Sequence, residues 1–225
     1  FNDFFNTHTD IYELGLQVFN DSVMAHFDQE WYTRFYGTPP AEQFRIIIGF
    51  TNGPCNYGPS RKLTGQPKEV FAIMNYAVDD NERPIFYKKV VETVVHEFCH
   101  SFTKIKGDTE KALEKSGKAL QEYTYFSMRR QAYSTWRNIL EESLVRAATI
   151  CYLIDHDYDE KDIRNAIIEQ VDRNFFWMPE LVQTLRYYES HRKKYPTFTS
   201  FYPEIIRFFD RYVADVEKEI QKALK

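Results

Sequence analysis

An α+β fold that is mainly helical, with a small N-terminal sheet packed on a helical bundle, follows from three observations on this chain of 225 residues. Gly 8 and Pro 9 supply few breakers, so long regular elements are expected and a many-turned β sandwich is disfavoured. The two β-branched runs that suit strands fall before residue 80, and from residue 87 onward apolar residues recur three and four apart. The hydrophobic share of 43% is enough to bury one core, and the aromatic share of 17% is too heavy for a solvated linker or a heptad rod. A single domain over residues 1–225 is expected, since no repeat, low-complexity tract or linker interrupts the chain.

The opening 40 residues are expected to be helical. Ile11, Leu14 and Val18, then Val23, Phe27 and Trp31, keep helical spacing until Gly37-Thr38-Pro39-Pro40 stops them. Phe44 to Phe50 is a β-branched run suited to a buried strand. Residues 52–68 hold six of the 17 glycines and prolines and predict a long loop of the kind that often carries function. Glu69 to Val78 predicts a second strand, closed by the turn residues Asp79-Asp80-Asn81-Glu82-Arg83-Pro84. Helices are expected over 87–105, 109–130, 134–154, 160–173, 179–193 and 203–223, with Pro179 and Pro203 at helix starts.

A net charge of -4 offers no electrostatic footprint for nucleic acid or an anionic membrane, so neither is expected as a partner. No apolar stretch reaches the length of a membrane span, which predicts no membrane insertion. The first residues, FNDFFNTHTD, have neither the basic start nor the apolar core of a signal peptide, and export with a signal segment removed stays compatible with them. Cys55, Cys99 and Cys151 cannot all pair within one chain, and free thiols are the simplest expectation.

The chemistry lies in VVETVVHEFCHSF, where His96-Glu97-Phe98-Cys99-His100 is an H-E-x-x-H motif in an apolar helical run. Residues four apart stand one turn above each other, so the two imidazoles can converge on one metal ion. Glu97 projects about 100° round the helix, beside the metal and free to take a proton from water polarised by it. Thr93, three residues before His96, the uncharged Val94, Val95, Phe98, Cys99 and Ser101, and the closing Phe102 resemble the extended signature of the zincin metallopeptidases. Without a cation, two imidazoles and a carboxylate on one apolar helix would each need a buried partner.

The metzincin continuation would need Gly and His where Thr103 and Lys106 stand, which excludes that class. The resemblance is to the gluzincins, in particular to uncharacterised bacterial groups of them, and it covers about a quarter of the chain. It implies a zincin-like fold, a Zn2+ cofactor and a third ligand, a Glu, on a later helix. Glu142, in Asn138 to Ala147, best fits that role, with the adjacent Glu141 as the alternative about 100° away. Glu110, Glu114 and Glu122 lie in a charged, surface-like segment, and Asp155 and Asp157 in a polar loop. Where several gluzincins carry an acid four residues after the ligand Glu, this chain has Arg146, so the surroundings of the ligand must differ or the register must shift.

The implied activity is zinc-dependent hydrolysis of a peptide or protein substrate, with Glu97 as general base and then proton donor to the leaving amine. Tyr187, Tyr188, His191 and His156 are the candidates for an oxyanion donor. Glu69 to Val78 is the candidate substrate-binding edge strand, with Asn75 as a contact. Two alternatives stand beside this reading: a catalytically inactive zincin-like module that binds a peptide or protein, and a helical interaction protein in which the motif is accidental.

Overall fold

The computed structural model describes every residue except 1, 51, 52, 54, 55 and 88. The chain is mainly helical with a small sheet, as expected, and it divides into two compact units. The first comprises residues 1–31 and 40–101, the second residues 32–39 and 102–225.

In the first unit the helices α1 (Asn2–Thr7) and α2 (Thr9–Ser22) lead to strand β1 (Gln43–Ile48). A three-stranded sheet is completed by β2 (Ser60–Arg61) and β3 (Glu69–Met74) in the order β1-β3-β2. β1 runs parallel to β3, from Gln43 opposite Glu69 to Ile48 opposite Met74, and β2 runs antiparallel on its other side. β3 is therefore the central strand, with Val70, Ala72 and Met74 buried. The long loop expected over 52–68 is partly strand: Tyr57 bridges Ile73, and Ser60 and Arg61 pair with Val70 and Glu69. Its Gly and Pro residues disguise a period-two pattern only two residues long. Cys55 lies outside the described residues.

The expected second strand splits, β3 ending at Met74 and a hairpin of β4 (Ala77–Val78) and β5 (Pro84–Ile85) following. Its turn is set by Asp79, whose side chain accepts from the N–H groups of Asn81 and Arg83 at 2.8 and 2.9 Å. Helix α4 (Lys89–Cys99) then packs on β3, burying Val91, Val94, Val95, Phe98 and Cys99. Phe98 stacks on Phe44 of β1 with ring centroids 4.2 Å apart, fixing the helix against the sheet.

The second unit is helical. α3 (Trp31–Tyr36) ends at Gly37, whose φ of +73° is the left-handed turn that stops a helix most cheaply. α5 (Asp108–Tyr123) and α6 (Tyr125–Arg130) replace the single helix expected over 109–130, the break falling at Thr124, whose hydroxyl donates back to Leu120 O at 2.7 Å. α7 (Trp136–Asp155) is capped by Thr135, whose side chain accepts from Asn138 N–H at 3.2 Å. It packs against α5, α8 (Glu160–Asp172) and α9 (Met178–Ser190), and buries every residue from Ile139 to Leu153 except Arg146, which is nearly so. A helix apolar on most of its circumference belongs at the centre of its unit.

α10 (Phe198–Ala223) packs on α5 and α9. It starts five residues before Pro203, contrary to expectation, because Thr197 and Ser200 form a reciprocal capping box ahead of it. Pro203 leaves one helical carbonyl without its usual donor. Pro179 does stand at a helix start, in the first turn of α9. Cys99 and Cys151 are buried.

Candidate metal centre

In helix α4 the side chains of Val91, Val94, Val95, Phe98 and Cys99 are buried, while His96 and Glu97 are half-buried. His100 stands one residue beyond the assigned end of α4, in the turn where Ser101 N–H bonds Phe98 O at 3.1 Å. The His96 and His100 rings are 5.1 Å apart between centroids and nearly perpendicular, at 83°. Both rings remain on one side of the helix, as i and i+4 positions should.

On α7 two adjacent acids, Glu141 and Glu142, are both buried. Glu141 is committed at each oxygen: Oε2 accepts from Lys104 Nζ and Oε1 from Ile105 N–H, both at 2.9 Å. It thereby ties the chain leaving α4 to the central helix. Glu142, about 100° further round, is bridged at Oε1 by Arg146 Nη2 at 2.7 Å. One nitrogen of His96, one nitrogen of His100 and one carboxylate oxygen of Glu142 all lie within 4.8 Å of one another. The cluster contains Glu142 and not Glu141.

Two imidazoles and a carboxylate suit zinc, whose ligands at about 2 Å from the ion stand roughly 3.3 Å apart in a tetrahedron. Three protein ligands leave the fourth position open.

Arg146 is the departure noted in the sequence, and its setting is now explicit. It donates to the Tyr133 hydroxyl at 3.0 Å and to the Gln170 side chain at 2.5 Å, and its guanidinium carbon lies 5.1 Å from the Phe175 ring centre. Burial would lower its pKa, but the carboxylate of Glu142 and the phenol of Tyr133 raise it above the ordinary arginine value. Burial, followed by the Glu142 charge, likewise raises the Tyr133 phenol. Glu142 thus shares its carboxylate with a fixed, permanently charged cation.

The remaining candidates fall elsewhere. Glu110 pairs with Arg137, and Glu114 with Lys118 at 2.7 Å. Asp155 pairs with Arg186, and Asp157 is a loop residue of positive φ. Among the suggested oxyanion donors, Tyr188 donates to Phe35 O at 2.7 Å, inside the aromatic core. His191 stacks on the exposed Tyr187, and His156 has Nδ1 2.8 Å from the carbonyl of Tyr152 in its own helix.

The edge-strand expectation for Glu69 to Val78 is corrected. Among the described residues β3 is flanked on both sides, by β1 and by the segment that includes Tyr57 and β2, so it is a central strand and not an edge. Asn75 uses its N–H on the Asn56 side chain at 2.9 Å. A residue not foreseen appears instead. Gly58 lies so close to Glu97 that a Cβ there would overlap Oε2 and stand 3.2 Å from Cδ. The sequence signals a glycine in a loop; the proximity depends on the antiparallel return onto β3.

Residues 1–208 match the family model described as a domain of unknown function, DUF4932. The chain belongs to that family. No curated protein and no solved structure matches it.

Proposed function

We propose that the protein is a zinc-dependent hydrolase of peptide bonds with a zincin-like fold, in which His96, His100 and Glu142 hold the ion and Glu97 is the general base. The observation that carries this reading is the convergence of the three ligand atoms within 4.8 Å, drawn from an H-E-x-x-H helix and a buried acid 42 positions beyond its second histidine. Zinc in such a set supplies a Lewis acid with one open position and lowers the pKa of water there to roughly 7. Glu97, next to a ligand but outside the ligand set, takes the proton from water and returns it to the leaving amine. The α4 backbone holds Glu97 one residue from His96, so its carboxylate is positioned by the same helix that positions the ion. The half-burial of His96, Glu97 and His100 fits a site open to substrate on one side.

Elemental analysis of protein purified without chelator should give about one zinc per chain. Glu97→Gln should keep that zinc and abolish cleavage of a broad fluorogenic peptide library. Wild-type protein that fails to take up zinc would sink the proposal. Zinc retained with no turnover by the wild type across the library would point to a peptide-binding module instead.

A further inference from the structure

We infer that Gly58 is a positioning residue for Glu97: a stretch of main chain without a side chain, against which the carboxylate of the general base rests. The inference rests on the hydrolase reading for its consequence, while the contact itself stands on the geometry of the first unit alone. Segment 56–61 and helix α4 are both referenced to strand β3. Tyr57 and Ile73 exchange both backbone bonds, at 3.0 and 2.8 Å, and Phe71 N–H donates to Pro59 O at 2.9 Å. The Asn56 side chain adds its bond from Asn75 N–H, one residue past the end of that strand. α4 packs on β3, so helix and segment cannot move apart without leaving it.

In the gap so defined, position 58 admits a hydrogen and no carbon, and the three nearest atoms to a Cβ there all belong to Glu97. Backbone conformation is not the reason for this glycine. Gly58 is not among the glycines of positive φ, and the following Pro59 biases it to the extended region open to any residue. Gly37 is the contrast, since its φ is +73° and a Cβ would meet main-chain atoms of Pro196 and Thr197. At position 58 the obstruction is the far end of one flexible side chain. A substitution there is therefore expected to move the carboxylate and to spare the fold. Displacing a general base by about 1 Å costs on the order of 100-fold in rate.

Zinc content, Tm, crystal structures of the zinc-loaded proteins, and kcat and KM on a fluorogenic peptide are compared for wild type, Gly58→Ala and Gly58→Val. The expected result is unchanged zinc and Tm in Gly58→Ala, a Glu97 carboxylate shifted by about 1 Å or more, and kcat reduced about 100-fold at constant KM. Gly58→Val should lose more. Glu97 found in place, with segment 56–61 displaced instead, overturns the inference whatever the activity. Unchanged kcat with a shifted carboxylate overturns it too. Inactivity of the wild type, with the carboxylate shifted in Gly58→Ala, removes the hydrolase reading and leaves the contact confirmed.

Discussion

The two ends of α7 handle carboxylates in opposite ways. Toward its N-terminus Glu141 and Glu142 stand side by side, but each has its own cation, Lys104 for the first and Arg146 for the second. At its C-terminus Asp155 and Glu189 share a single cation, Arg186, which contacts both. Where cations match acids, each carboxylate has a counter-charge of its own. Where they do not, a proton makes up the difference. Burial, then the hydrogen bond and charge of Asp155, push the Glu189 pKa up to about 8, with Arg186 opposing them. A metal ligand must be ionised at neutral pH, so the matched end is the one equipped to supply it.

The comparison breaks most severely if Glu142 is no ligand. Glu142→Gln should bring zinc from about one per chain to none measurable by elemental analysis, and His96→Ala should do the same. Zinc retained by either variant would put the metal elsewhere. Arg146→Met comes next. Stripping the counter-charge from a buried carboxylate costs about 3–5 kcal/mol, read as a fall in Tm of the metal-free protein. Zinc can replace the lost cation, so the rise in Tm on adding zinc should be larger in Arg146→Met than in wild type. An equal rise would mean that Arg146 and the metal act on different groups.

Glu141→Gln sharpens the contrast between neighbours. It keeps an acceptor for Ile105 N–H and loses the Lys104 pair, which is half-exposed on the lysine side. Chemical denaturation should register a loss of about 1 kcal/mol, with zinc stoichiometry unchanged. Lost zinc in this variant would exchange the roles of the two glutamates. The remaining test is at the unmatched end, and its effect appears only at high pH. Glu189 binds its proton more tightly folded than unfolded, so its contribution is fully present below pH 4.5 and is lost as pH rises through about 8. Glu189→Gln mimics the protonated form. Its Tm should match wild type near pH 4.5 and exceed it at pH 9. Parallel profiles would mean that Glu189 is ionised throughout.

The placing of His96 and His100 on one side of a helix was legible because their spacing is local: four residues make one helical turn whatever surrounds it. The choice of Glu142 over Glu141 was legible only as a preference, since both lie in the same apolar run and the partners that separate them, Lys104, Ile105 and Arg146, include two from outside the helix. The central place of β3 was hidden because its neighbour is a two-residue strand inside a stretch of glycines and prolines. Pro203 misled in the opposite sense, as a strong local signal overruled by a cap six residues earlier. Gly58 could not be singled out from the other loop glycines, because its reason is a contact 39 positions away.

The burial of α7 on nearly every side has a consequence for how the chain opens. Its amides from Ile139 to Leu153 cannot reach solvent by fraying of one face, so their hydrogens should exchange only when the whole second unit unfolds. Glu142 sits within that slow-exchanging stretch. If Glu142 holds a metal ion as proposed, that ligand is withdrawn from local breathing, and its release would follow global unfolding of the helical unit.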